Sequence, residues 1–174
     1  AYNNLGCLYR SREQWEDAIN AFNIAIELNP LDSTAYCNLG LLYLLQNNLI
    51  EAEQAFLTAI KINSYDGDAV LSLGILKALQ RNLEQAKTNW QTGLKLYPEY
   101  SQSARLYRTL YAIALGEIES GLTTLQQILN QEKPPVGLLR YVMEIAHLLQ
   151  RCPQLTGINE AVTMIEKAIS THPS

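Results

Sequence analysis

The sequence predicts an all-α protein, a solenoid of about five antiparallel helix hairpins of which three are regular and two divergent. The first observation is internal similarity at a fixed spacing of 34 residues, which is the signature of stacked repeats. The second is the recurrence of apolar residues at spacings of three and four, which indicates amphipathic helices. The third is Pro30 and Pro98, which end the second helix of their repeats because proline disfavours helical geometry in the residue before it.

The first helix of each regular repeat carries a Leu-Gly pair, at Leu5-Gly6, Leu39-Gly40 and Leu73-Gly74. The second helix repeats its own positions in the same register: Ala18, Ala52 and Ala86, then Phe22, Phe56 and Trp90, then Ala25, Ala59 and Gly93. Glycine inside a helix costs about 1 kcal/mol relative to alanine. Its recurrence therefore predicts that the second helix packs too closely to leave room for a side chain, with the Ala18 series opposite and the Phe22 series filling the space between hairpins.

Two helices fit each repeat, and no segment is typical of a strand. The predicted helices cover residues 2–12, 16–29, 34–46, 50–63, 68–80, 84–97, 101–115, 118–131, 135–151 and 158–171. The regular repeats occupy residues 1–98, a divergent fourth repeat 99–133 and a divergent fifth hairpin or cap 134–174. We predict that all of them stack into one continuous domain.

The fourth repeat departs from the regular spacing. Gly121 follows Ala86 by 35 residues, which predicts one inserted residue near the turn. On this alignment Tyr107-Arg108 replaces the Leu-Gly pair. The fifth hairpin has a linker, 152–159, that is longer than the turns of the regular repeats.

The composition is that of an ordinary soluble protein, with 48% hydrophobic residues and a formal charge of -4. No apolar run reaches the length that spans a membrane, and the acidic balance argues against generic nucleic-acid binding. The three cysteines are an odd number without metal-site spacing, which predicts reduced thiols and no structural metal. The chain does not begin with Met, so we interpret it as a piece of a longer protein, with a cytoplasmic location expected.

The regular repeats carry a recognisable pattern. Tyr2 to Tyr9 reads aromatic-x2-Leu-Gly-x2-Tyr, and Ala18 to Ala25 reads Ala-x3-Phe-x2-Ala, followed by Pro30. This pattern, present in three consecutive copies, resembles the tetratricopeptide repeat family. The resemblance implies helix pairs stacked in a right-handed superhelix whose concave groove, lined by the first helices, binds a peptide or helix of another protein.

The resemblance also implies which positions line the groove. Carried through the Leu-Gly register, they are Asn3, Asn4, Cys7, Arg10, Thr34, Cys37, Asn38, Leu41, Asp68, Leu71, Ser72, Ile75 and, in the fourth repeat, Gln102, Arg105, Leu106 and Thr109. The asparagines offer donors and acceptors for a partner's backbone, and the leucines and Ile75 offer an apolar strip. For Leu44 and Ala78, at equivalent positions, a place in the core is an equal alternative. Arg105 could anchor an acidic group or pair with Glu99 or Asp68.

One branch of the family holds a peptide's C-terminal carboxylate with a clamp of lysine, asparagine and arginine side chains. The matching positions here are Asn3, Cys7, Asn38, Asp68 and Ser72. Only Asn38 fits the clamp, and Asp68 would repel a carboxylate. The sequence therefore excludes a chaperone-tail receptor of that type.

A search for catalytic groups finds none that converge. Glu144 and His147 share a helix face, but di-metal bundles need that pair twice together with two further glutamates. The chain has no Gly-rich phosphate loop. We therefore predict a protein without enzymatic activity or cofactor. RNA-binding helical repeats are disfavoured because their period is usually 35.

The predicted function is that of a scaffold or adaptor that binds a protein partner in the groove. The alternative is a homo-oligomerisation or regulatory module of a larger protein, because the ends of the stack at Tyr2 and Ile169 could expose apolar surface. A further possibility is that the fifth hairpin folds across the groove, since Pro134-Pro135 and the long linker allow a change of direction.

Overall fold

The computed structural model describes residues 1–98 and 101–171, and within them the chain is entirely helical, without strands. Ten α-helices follow one another in the order predicted from the sequence. They are α1 Tyr2–Ser11, α2 Trp15–Leu28, α3 Ser33–Leu45, α4 Leu49–Ile62, α5 Gly67–Leu79, α6 Leu83–Lys95, α7 Gln102–Ala114, α8 Ile118–Gln127, α9 Val136–Gln150 and α10 Ile158–Ser170. The expected helix 118–131 is divided, since α8 passes into a π-helical turn at Ile128–Glu132.

The turn inside each of the first four hairpins has the same geometry. One residue adopts a left-handed conformation, with φ of 59° at Glu13, 65° at Asn47, 62° at Arg81 and 102° at Gly116. The next residue donates its backbone N–H to a carbonyl five positions earlier, as in the 2.8 Å bond from Asn48 N to Tyr43 O. These turns confirm the repeat and extend it to the fourth hairpin.

The helix caps locate the extra residue of the fourth repeat. The Asp32 carboxylate accepts the Thr34 and Ala35 N–H groups at the start of α3, and Asp66 accepts the Ala69 N–H at 3.0 Å at the start of α5. Ser101 has the same role for α7, where its hydroxyl accepts the Ala104 N–H at 3.1 Å. Ser101 already lies 35 residues after Asp66, whereas Pro98 still lies 34 after Ser64.

The insertion therefore lies between Pro98 and Ser101, before α7, and the turn itself is unchanged. In this register Arg108-Thr109, and not Tyr107-Arg108, occupies the Leu-Gly place of the fourth repeat. The alignment of Tyr107-Arg108 with the Leu-Gly pair was wrong because a sequence comparison does not show where an inserted residue lies. The helix cap at Ser101 shows the position of the insertion.

The recurring glycines have the predicted steric cause but a different neighbour. A Cβ built on Gly6 would lie 2.5 Å from the ring of Phe22, and one on Gly40 would lie 2.6 Å from the ring of Phe56. Such separations are well inside van der Waals contact. The aromatic ring, and not the alanine series, is thus the group that occupies the space. Phe22 also packs with Leu39 and Leu42 of the next hairpin.

The described residues form two compact units. The first comprises residues 1–76 and 88–96, and in it α1 pairs with α2, α3 pairs with α4, and α2 also packs on α3. The second comprises residues 77–87 and those from Tyr97 onwards. In it α7 pairs with α8 and α9 with α10, and the fifth hairpin packs on the fourth through contacts of α9 and α10 with α7.

Candidate partner-binding surface

The first unit carries a cluster of polar side chains that joins its first helices. Asn38 of α3 donates from Nδ2 to Oδ1 of Asn3 on α1 at 3.0 Å. Arg10, also on α1, donates from Nη1 to Oδ1 of Asn38 at 3.4 Å. We call these three residues the amide cluster. Arg10 is buried, and Asn3 and Asn38 are half-buried, so the cluster fixes the two helices while part of each amide stays accessible.

The remaining polar positions of the predicted groove are more open. Asn4 and Thr34 are exposed, Cys7 and Asp68 are half-buried, and Ser72 is buried. Around Asn3 and Asn38, the accessible part of this side of α1, α3 and α5 is therefore polar. We call it the first-helix face.

The apolar positions of the predicted groove are buried. Leu41, Leu71 and Ile75 are 3%, 2% and 0% exposed, and Leu44 and Ala78 are fully buried. The apolar strip that was expected to be open to a partner thus has almost no accessible surface. Leu44 and Ala78 are core residues, which was one of the two alternatives for them. The repeat period predicts which residues share a side of a helix, but not how deep that side lies.

Cys37 is buried among charged groups of the same unit. Desolvation raises the pKa of its thiol well above the ordinary value, and the carboxylates of Asp66 and Asp68 raise the pKa further. The opposing effects of the Arg10 charge and of a hydrogen bond with Ser72 are smaller. The thiol is therefore neutral at physiological pH, and Cys37 has the properties of a core residue.

Arg105 lies in the second unit and takes a different partner from those expected. Its guanidinium forms a 2.5 Å ion pair with the carboxylate of Glu132, which follows α8. Glu99, one of the expected partners, lies outside the described residues. In the corrected register Arg105 corresponds to Val70, while Leu106 corresponds to Leu71. Arg105 therefore lies one residue before the groove position to which the 34-residue spacing assigned it.

The comparisons with known proteins agree with this geometry. A sequence profile of the tetratricopeptide repeat family matches residues 3–67. That span runs from α1 to the start of α5, so it contains the two hairpins with the shared turns and the glycine–phenylalanine contacts. Residues 3–67 therefore carry tetratricopeptide repeats. A comparison with curated proteins finds no match.

Solved tetratricopeptide structures share the fold. A protein from Parabacteroides merdae is 19% identical with a TM-score of 0.61, over 98% of this chain and 70% of that one. A thermophilic protein from Thermus thermophilus is 19% identical with a TM-score of 0.62, over 95% and 97%. YrrB, a tetratricopeptide protein with an unusual peptide-binding site, is 19% identical with a TM-score of 0.51, over 95% and 85%. At these identities the likeness establishes the fold alone.

The second unit shows a feature absent from the regular pattern. In the linker of the fifth hairpin, Gln154 donates from Nε2 to the carbonyl of Ala78 at 2.6 Å. A Cβ built on Gly157 would lie 2.9 Å from the Ile113 side chain. Ala78 and Ile113 are equivalent positions of their first helices. The linker therefore covers first-helix positions within the second unit. The length of the linker in the sequence did not predict which residues it would cover.

One sequence signal identifies a residue that the groove positions omit. Asp66 repeats Asp32 at the 34-residue spacing, as expected for a cap, and it also contributes negative charge beside Cys37. In the part of the chain that the structure describes, no helix is long and apolar enough to cross a membrane, and no group of His, Cys, Asp and Glu is arranged to hold a metal.

Tetratricopeptide repeats are protein–protein interaction modules, and they are generally non-catalytic. A repeat stack acts by offering an extended surface that several hairpins build together. The individual side chains determine which part of this chain binds a partner.

Proposed function

We propose that the chain binds a peptide or helical segment of another protein on the first-helix face, in the manner of an adaptor. The observation that carries this proposal is the amide cluster, which joins α1 and α3 through Asn38. It supplies polar groups that are held in place before any partner arrives, and a fixed geometry lowers the ordering cost of binding.

The amides keep hydrogen-bonding capacity for a partner. An asparagine side chain has two N–H donors and two acceptor lone pairs. Asn38 uses one N–H toward Asn3, and each Oδ1 has a second lone pair. Asn4, exposed one position further along α1, adds another amide. These groups suit the alternating N–H and C=O groups of a peptide backbone.

The charges on the first-helix face define the class of partner. Asp68 is half-buried there, and Asp66 lies close enough to raise the pKa of Cys37. Two carboxylates disfavour a partner's C-terminal carboxylate and the phosphates of nucleic acid. We propose that the partner is a neutral or basic protein segment. We further propose that binding occurs in a reducing compartment such as the cytoplasm, where the three cysteines stay reduced.

The test uses exposed positions, because charges at Leu41 or Leu71 would disrupt the core. We would couple the protein to resin and capture partners from its native cell extract, comparing the wild type with the Asn4→Arg, Thr34→Arg double variant. The matched control carries Asn20→Arg and Gln54→Arg, at exposed positions of α2 and α4. A partner that binds the wild type and the control but not the Asn4→Arg, Thr34→Arg variant supports the proposal. A partner held equally by all three contradicts it.

Self-association is a second candidate, favoured by an apolar patch on α1. Tyr2, Leu5 and Leu8 are spaced by three residues and are 41%, 36% and 45% exposed. Contiguous exposed apolar side chains of this kind mark contact surfaces. Sedimentation analysis over a range of concentrations distinguishes the candidates. A dimer that the Leu5→Lys, Leu8→Lys variant abolishes would support homo-oligomerisation, and a concentration-independent monomer would exclude it.

A further inference from the structure

A cleft of about 580 Å³ lies in the second unit between α8 with its π-helical turn and α10. Its floor is apolar, formed by Leu129, Leu139, Met164 and Ala168, and its rim carries Lys133 and Lys167. We call it the C-terminal cleft. Its size falls within the range of ligand pockets. It is lined by residues of α8, α9 and α10 and by none of the predicted groove positions.

The end of α8 shapes one wall of the C-terminal cleft. The helix widens into the π-helical turn Ile128–Glu132, and the chain then turns at Lys133, where φ is 45°. Pro134 and Pro135 follow and lead into α9. Local π-helical geometry is often found at functional sites. Here it ends beside the cleft, where Leu129 contributes to the floor and Lys133 to the rim.

The rim is positively charged without a compensating acid. No acidic residue lines the cleft, and neither rim lysine has an ion-pair partner among residues 1–98 and 101–171. Glu132, next to Lys133 in sequence, is bound by the guanidinium of Arg105 at 2.5 Å and by Gln102 at 3.4 Å. A carboxylate from outside is therefore the group that this rim would complement.

The cleft continues as a shallower depression along α8. That depression shares Gln126, Asn130 and Met164 with the cleft and extends to Leu122. From Leu122 to Lys133 the helix covers roughly 17 Å at 1.5 Å per residue. A surface of this length, with amide side chains along it, suits an elongated occupant better than a compact small molecule.

We propose that the C-terminal cleft is a second protein-binding site, which takes an acidic segment of a partner. An apolar side chain of that segment inserts between Met164 and Leu129, and carboxylates beside it pair with Lys133 and Lys167. The rest of the segment lies along α8. This site prefers the opposite charge to that proposed for partners of the first-helix face, so we expect the two surfaces to bind different segments.

The two methionines of the chain allow a direct test by methyl NMR of the intact protein. Met164 lines the cleft, whereas Met143 is buried in α9 and serves as the internal reference. The probe is a blocked peptide of about ten residues made of leucine and glutamate, and its counterpart has glutamine in place of glutamate. We expect the acidic peptide to shift the Met164 methyl signal, to leave Met143 unchanged and to bind more tightly than its counterpart.

Charge reversal at the rim provides the second measurement. Lys133→Glu with Lys167→Glu should weaken binding of the acidic peptide roughly tenfold or more, since both ion pairs are replaced by repulsion. The matched control is Lys61→Glu with Lys95→Glu, which changes the net charge equally at exposed positions of α4 and α6. Asn4→Arg with Thr34→Arg should leave the Met164 shift unchanged.

Several outcomes would overturn the proposal. The acidic peptide could bind without shifting Met164, or the control reversal could weaken binding as much as the rim reversal. Absence of any shift at millimolar peptide would also reject it. A Met164 shift on changing the protein concentration alone would identify a second copy of the chain as the occupant. Tighter binding of laurate than of the peptide would identify a small amphiphilic carboxylate.

Discussion

The ring of Phe56 fills the space that a side chain at Gly40 would need, with Cε1 2.6 Å from the position of the missing Cβ. The same relationship joins Phe22 and Gly6 at 2.5 Å. A glycine on the first helix and an aromatic ring on the second thus act as a pair that sets the distance between the helices of a hairpin. Thr109 has the glycine place in the fourth hairpin, where Leu125 has replaced the ring.

The first prediction concerns this pair. Gly40→Ala should lower the free energy of unfolding by about 1–3 kcal/mol, because the added methyl group overpacks a filled site. The measurement is urea unfolding followed by circular dichroism. Gly137→Ala is the matched control, since nothing lies within 4 Å of its Cβ position in α9. That change should raise stability by about 0.5 kcal/mol through helix propensity alone.

A compensating variant makes the steric argument specific. In a Phe56→Leu background, Gly40→Ala should lower the free energy of unfolding by less than it does beside phenylalanine. Strictly additive effects of the two substitutions would contradict a direct contact between them.

The sequence predicted the fold well because its signals are local and periodic. Glycine, phenylalanine and proline at fixed spacing identify the hairpins, and Asp32 and Asp66 are recognisable as caps. The site was harder to predict. Arg105 was assigned by counting through an insertion whose place only the Ser101 cap reveals. Leu41 was taken as exposed, although its burial depends on packing between elements that no single-helix pattern describes.

The second prediction concerns the amide cluster. Asn38→Ala should be less stable than Asn4→Ala by about 1–2 kcal/mol, because it removes hydrogen bonds to Asn3 and to the buried Arg10. Both substitutions gain the same helix propensity, so their difference isolates the cluster. Chemical unfolding of the two variants side by side gives the comparison. Equal stabilities would mean that the cluster does not hold α1 against α3.

The third prediction concerns Arg105 and Glu132. Their ion pair is short, but the Arg105 side chain is 48% exposed, so solvent screens the interaction. A double-mutant cycle with Arg105→Gln and Glu132→Gln should give a coupling of about 0.3–1 kcal/mol at low salt. The coupling should fall in 1 M NaCl. A coupling that salt leaves unchanged would indicate a contact other than a screened ion pair.

The last prediction concerns the buried thiols. Burial raises the pKa of Cys152 to about 11 and that of Cys37 well above its ordinary value. At pH 8 a thiol of pKa about 11 is ionised to roughly 0.1%. Iodoacetamide should therefore modify half-buried Cys7 before either of the two buried thiols, which are also shielded from the reagent. Between about pH 9 and 11 the folded Cys152 keeps a proton that the unfolded chain releases, so stability should fall as pH rises. Cys152→Ala should flatten that decline in urea unfolding across this range, and an unchanged slope would show that other groups cause it.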